Sequence, residues 1–167
     1  MPLRNKAVAN HFHLVQVLKM YNKILEPLLE NEPKKVITSA GIWIRQKCYP
    51  LFCHVLRRKT KRAFVLVSRE SIPEDEPVIF VSTHEFREDA EAAYLAAGRA
   101  AYAVNGSVST VMNSFLGIEN WAVGVIMLNR ADKASRKAVI DKMIYALQKG
   151  ASIILYPEGT WNKSSNG

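Results

Sequence analysis

Residues 78–91 read VIFVSTHEFREDAE: an apolar run stops at His84, and an aspartate, Asp89, follows five positions later. On one regular helix an offset of five leaves two side chains about 140° apart, so His84 and Asp89 do not share a helical face. A turn must join them. If 78–82 is a strand and a helix starts near Glu88, the connecting turn folds Asp89 back onto the imidazole. A carboxylate accepting from one ring nitrogen fixes the tautomer and leaves the other nitrogen as a base. The alternative is a surface histidine beside an aspartate favoured in a first helical turn.

The same switch of period recurs down the chain. AFVLV (63–67) and VIFVS (78–82) are strand-like runs separated by the acidic, Pro-containing loop IPEDEP. A helix over 88–97, a strand over 101–104, a helix over 108–116, the strand VGVIML (123–128), a helix over 133–149 and the strand SIILY (152–156) follow. Alternation of this kind predicts an α/β fold with a mostly parallel sheet and flanking helices. There is no internal repeat and no low-complexity tract.

Upstream, residues 7–29 place Phe12, Val15, Leu18, Ile24 and Leu25 near helical spacing, with Lys19, Asn22, Lys23 and Glu26 between them, as in an amphipathic helix. Glu32-Pro33 ends it. Residues 36–56 read as a second helical stretch bent at Pro50, and RRKTKR (57–62) follows at once. The expected division is an N-terminal amphipathic, basic helical segment over 1–62 and an α/β core over 63–167.

Charge is uneven. Of the net +8, residues 1–70 hold 14 Lys and Arg against 4 Asp and Glu, whereas residues 71–167 hold 9 against 11. A basic N-terminal part next to aromatic residues suits an anionic membrane surface, where each basic residue contributes about 1 kcal/mol. An ordinary helical pair packed on the core is the other reading. The basic cluster lacks interleaved aromatics and a nucleic-acid motif, so no nucleic-acid partner is expected. No stretch reaches the ~18 uncharged apolar residues of a membrane span, since Arg45 and Lys47 interrupt the best candidate, 36–56. Cys48 and Cys53 are the only cysteines, with no secretory pattern, so reduced thiols in a cytoplasmic, peripherally membrane-associated protein are expected.

Three strand ends carry the chemistry. The strand ending at Ser82 leads to His84, the one ending at Leu128 leads to Arg130, and the one ending at Tyr156 leads to Pro157, Glu158, Gly159 and Thr160. In open α/β sheets ligands collect outside the carboxyl ends of parallel strands, so a base, a cation and an acid with a glycine converge on one edge. A serine hydrolase using Ser82 with His84 has no Gly-x-Ser-x-Gly elbow in its favour. Neither His84, Glu85 and Asp89 nor His11 and His13 make a complete metal-ligand set. A non-enzymatic basic binding module leaves the His, Arg and Glu-Gly constellation unexplained.

These residues resemble a known family. THEFRED resembles the His-x4-Asp motif of the glycerolipid (lysophospholipid) acyltransferases, GVIMLNR resembles their second motif ending in Arg, and LYPEGT resembles their Pro-Glu-Gly-Thr motif, in the same order. The resemblance covers residues 78–162 and is closest to the 1-acylglycerol-3-phosphate acyltransferase type. It implies acyl transfer from acyl-coenzyme A or acyl-carrier protein, as substrate rather than bound cofactor, to the hydroxyl of a lysophospholipid such as lysophosphatidic acid. It further implies His84 as base, Asp89 as its orienting partner, Arg130 on the acceptor phosphate, and Glu158, Gly159 and Thr160 shaping the acceptor site. Two positions depart from the family pattern: Trp161 and Asn162 follow Gly159-Thr160 where an Arg is common, and Thr83 precedes His84 where an Asn is common. The family also continues past the third motif with a strand bearing Val-Pro, so a core truncated after NKSSNG is expected.

Overall fold

The computed structural model of the chain describes residues 20–21, 23, 25–59, 72–84, 88–106, 108 and 116–159. Four strands, β1 (Ile79–Val81), β2 (Ala101–Asn105), β3 (Val125–Met127) and β4 (Ser152–Leu155), form an all-parallel sheet in the order β1-β4-β2-β3. The α/β class read from the sequence is the class observed. The strand expected at 63–67, most of the helices expected at 7–29 and 108–116, and Thr160 with Trp161 and Asn162 lie outside the described residues.

Alternate strand residues go to different hydrophobic clusters, as the period of a pleated strand requires. Tyr102, Ile126 and Ile153 join one cluster with Ile37, Ile42, Val139 and Ala146, while Ala101 and Ile154 join another with Cys53, Tyr94 and Leu95. Val125 and Met127 pack with Leu25 and Leu28 in a third. Both faces of the central strands are therefore buried. Ile126 and Ile153 have no exposed surface, and removing each such side chain from water stabilises the fold by about 1.5–3 kcal/mol.

The N-terminal segment differs in detail from its sequence reading. Glu26–Leu29 is a 3-10 turn, and Pro33 begins the short helix α1 (Pro33–Val36) rather than only ending what precedes it. A first helical position needs no N–H, so proline fits there. The long helix α2 (Ser39–Lys59) starts where Thr38 Oγ1 accepts from the Gly41 N–H at 3.0 Å, and it carries Pro50 in its interior. Arg45 fastens α2 to the sheet layer: its guanidinium donates to Tyr102 Oη at 3.2 Å and to the Trp121 carbonyl at 2.7 Å.

Helices α3 (Asp89–Ala97), α4 (Leu116–Val123) and α5 (Lys133–Gln148) make up the rest. α4 was missed in the sequence, where 123–128 read as one strand. Gly124, at φ +98°, explains the division: the chain leaves the helix and enters β3 through a left-handed residue, and any side chain there would also press on Arg45 and Tyr102. At α5, Asp132 caps the first turn by accepting from the Ala134 N–H at 2.9 Å.

Candidate active site

Parallel strands deliver their carboxyl ends to one edge, and each of the four ends there in a residue with a polar or steric role. After β1, the pairing with β4 continues one step further, with the Ser82 N–H donating to the Leu155 carbonyl at 3.1 Å. His84 stands two residues beyond. α3 begins at Asp89, and the two side chains stand together as expected, with His84 Nδ1 3.5 Å from Asp89 Oδ2; residues 85–87 between them lie outside the described residues. That is the long end of hydrogen-bond geometry, of the kind that tightens when a substrate docks. Both side chains are about one-fifth exposed, so they are neither buried in the core nor free in solvent. In the tautomer with Nδ1–H directed at the carboxylate, Nε2 carries a lone pair that can act as a base. The Ser82 hydroxyl donates to the Thr83 carbonyl at 3.1 Å.

Tyr156, the residue after β4, was read in the sequence only as the end of a strand. Its ring lies against the imidazole of His84, centroids 4.8 Å apart and planes tilted by 35°. Its hydroxyl donates to the backbone carbonyl of Asp89 at 3.2 Å. Burial raises its pKa, and the nearby carboxylates of Asp89 and Glu91 raise it further, so the phenol stays a donor. The available signal was the strand alternation, which puts Tyr156 on the face of Ile154.

Arg130 follows β3 on an exposed loop whose backbone is fixed at several points. The Asn129 N–H donates to Ser135 Oγ at 2.9 Å, Asn129 Oδ1 accepts from the Ala131 N–H at 3.2 Å, and Arg136 donates to the Arg130 carbonyl at 2.5 Å. The Arg130 guanidinium reaches across and donates to the carbonyl of Gly159. Gly159 closes a turn over Pro157 and Glu158, its N–H donating to the Tyr156 carbonyl at 3.0 Å, with φ +66°. Glu158 is exposed on that turn.

The fourth strand end, after β2, was also missed. A Cβ built at Gly106 would lie 2.5 Å from Arg130 Nε and 2.7 and 2.9 Å from two further guanidinium atoms. Glycine is what lets the arginine lie there. The arrangement thus offers an oriented base and, on the adjoining loops, a cation held against backbone.

A cavity of about 610 Å³, lined in part by Ala100, Gly150 and Ser152, lies instead at the amino ends of β2 and β4. It is remote in the fold from this edge, and its polar groups include Arg99, which is occupied in donating to the carbonyls of Glu76 and Pro73.

The family model Acyltransferase matches residues 64–166, well over half of the chain. The chain belongs to the Acyltransferase family, and acyl transfer is its general activity. It matches no curated protein and no solved structure.

Proposed function

We propose that the chain transfers a fatty acyl group from acyl-coenzyme A or acyl-carrier protein to the free hydroxyl of a lysophospholipid, with lysophosphatidic acid the favoured acceptor, as a step in phospholipid synthesis. The observation that carries the proposal is the approach of His84 Nδ1 to Asp89 Oδ2 at the carboxyl edge of a parallel sheet. An alcohol is a poor nucleophile at neutral pH. His84 Nε2 takes the acceptor's proton as its oxygen bonds to the thioester carbonyl carbon, and Asp89 stabilises the resulting imidazolium. The tetrahedral intermediate then collapses, the carbon–sulfur bond breaks, and the leaving thiolate takes the proton back from His84. A positioned base of this kind contributes typically ~10²–10⁴-fold.

Arg130 holds the acceptor's phosphate with its planar fork, and the turn bearing Glu158, Gly159 and Thr160 forms a wall of the acceptor site. The acceptor and the two-tailed product are membrane lipids, so the enzyme works at a membrane surface. α2 supports that reading. Trp43, Ile44, Leu51 and Val55 are all exposed on it, within about 120° of helical arc, together with exposed Lys47 and Arg58. Its opposite side, with Ile42, Tyr49, Phe52 and Cys53, packs into the protein. Among the described residues no helix is long and apolar enough to cross a membrane, and an interfacial helix with apolar and basic groups needs no span.

The test is mass spectrometry of products formed from mixed acyl donors and mixed lysophospholipids by the wild type and by His84→Ala. Diacyl phospholipid from the wild type alone supports the proposal. Acylation of a non-lipid alcohol, with lysophospholipids untouched, overturns the substrate class.

A further inference from the structure

Tyr156 has a geometry that core packing does not require. Its ring meets the imidazole of His84 and its hydroxyl meets the carbonyl of Asp89, so one side chain touches both members of the pair. His84 follows β1 and Asp89 opens α3, whereas Tyr156 directly follows β4, the strand hydrogen-bonded to β1 through the Val81 to Leu155 register. We infer that Tyr156 is a positioning residue, which sets the imidazole of His84 against the carboxylate of Asp89 from the neighbouring strand.

The physical argument has two parts. A helical carbonyl that accepts from the N–H four residues on keeps a second lone pair, and the Tyr156 hydroxyl fits that lone pair at 3.2 Å, which fixes the start of α3 relative to β4. The ring then limits the rotation of the imidazole, at a centroid distance within the usual range for paired aromatic rings. As His84 takes up a proton, the electron-rich face of a neighbouring ring also favours the cation it becomes. Phenylalanine would retain the ring and lose the anchor, and leucine would lose both. Misplacing a base by about 1 Å costs on the order of a hundredfold, and partial loosening costs less.

This inference rests on the proposed role of His84 as the base, so its test includes a readout independent of turnover. Tyr156→Phe and Tyr156→Leu are compared with wild type in kcat, in KM for each substrate, and in the ring-nitrogen NMR spectrum of 15N-histidine-labelled protein. The His84 signals are identified by their loss in His84→Ala. The expected result is a fall in kcat of about tenfold for Tyr156→Phe and more for Tyr156→Leu, with both KM values within about twofold. In the spectrum the wild type shows the Nδ1–H tautomer of His84, and Tyr156→Phe shows a mixture of the two tautomers. An unchanged tautomer in folded Tyr156→Phe overturns the inference whatever the activity. A changed tautomer in a protein that acylates no lysophospholipid upholds the positioning role and sinks the substrate reading alone.

Discussion

The guanidinium of Arg130 donates to the backbone carbonyl of Gly159, tying the loop after β3 to the turn after β4 on the edge of the sheet where His84 stands. An arginine held by one N–H against backbone keeps further donors in a fixed plane. Arg130→Lys preserves charge but not the fork. The expected outcome is a KM for the lysophospholipid raised about tenfold with the KM for the acyl donor unchanged, read from initial rates with each substrate varied in turn. The reverse pattern would move Arg130 to the donor side.

Gly106→Ala asks the same question from behind. The added methyl meets the far end of a flexible side chain, so the guanidinium moves and the strand does not. We expect a severalfold rise in the acceptor KM with a melting temperature within a few degrees of wild type. A large drop in melting temperature with kinetics unchanged would make Gly106 a packing residue only.

If His84 is the base, as proposed, His84→Ala is expected to lower acyl transfer by about 10²-fold or more in a protein whose circular dichroism and melting are those of the wild type. Asp89→Asn keeps most of the shape and weakens only orientation and charge stabilisation, so its loss should be smaller. An Asp89→Asn enzyme slower than His84→Ala would assign the carboxylate a different role.

For the membrane face proposed on α2, sedimentation with vesicles separates the electrostatic from the apolar component. Wild type should bind vesicles containing anionic lipid more than neutral ones, and salt should weaken that binding without eliminating it, because the apolar contribution is unscreened. Neutralising Lys47, Arg57 and Arg58 removes three charges at about 1 kcal/mol each, on the order of a hundredfold in affinity for the anionic vesicles. Equal binding of both proteins to both lipids would leave no electrostatic component.

Lys142 gives a prediction about stability. It is buried on the inner side of α5, and burial lowers its pKa while Glu30 partly opposes that shift. A lysine whose folded pKa lies below its unfolded value binds more protons unfolded, so the fold becomes more stable as pH rises from the folded pKa towards about 10.4. Lys142→Met should therefore raise the melting temperature at neutral pH, by ~2–4 °C per kcal/mol, and flatten its rise at alkaline pH. A parallel pH dependence in wild type and variant would contradict this.

Sequence pattern was informative wherever period and chemistry agreed. SIILY, with alternate residues bound for opposite faces, and the helix ending at Gln148 both stand close to where their spacing put them. The approach of His84 to Asp89 was legible from the five-residue offset together with the strand before it and the helix after it. What the pattern did not disclose was conditional on three-dimensional approach. Gly106 has no sequence mark, since its meaning lies in an arginine that reaches it from the loop after β3. Tyr156 looked like one more apolar strand residue because its hydroxyl partner is 67 positions away. The boundary at Gly124 was hidden because a helix end and a strand start, both apolar, run together without a polar break.

The strand order carries a consequence for how the protein is made. β4, the last described strand to leave the ribosome, is inserted between β1 and β2, and among the described strands it is the only one to which β1 is bonded. Until residues 152–155 are synthesised, the edges of β1 and β2 that β4 will occupy lack that partner, so a nascent chain presents strand edges for pairing with other chains. Pairing Ile79 with Ile153 also closes a long loop, which slows the decisive step. Tyr156, which touches both His84 and Asp89, directly follows that strand, so the pair gains this contact only after β4 has been made.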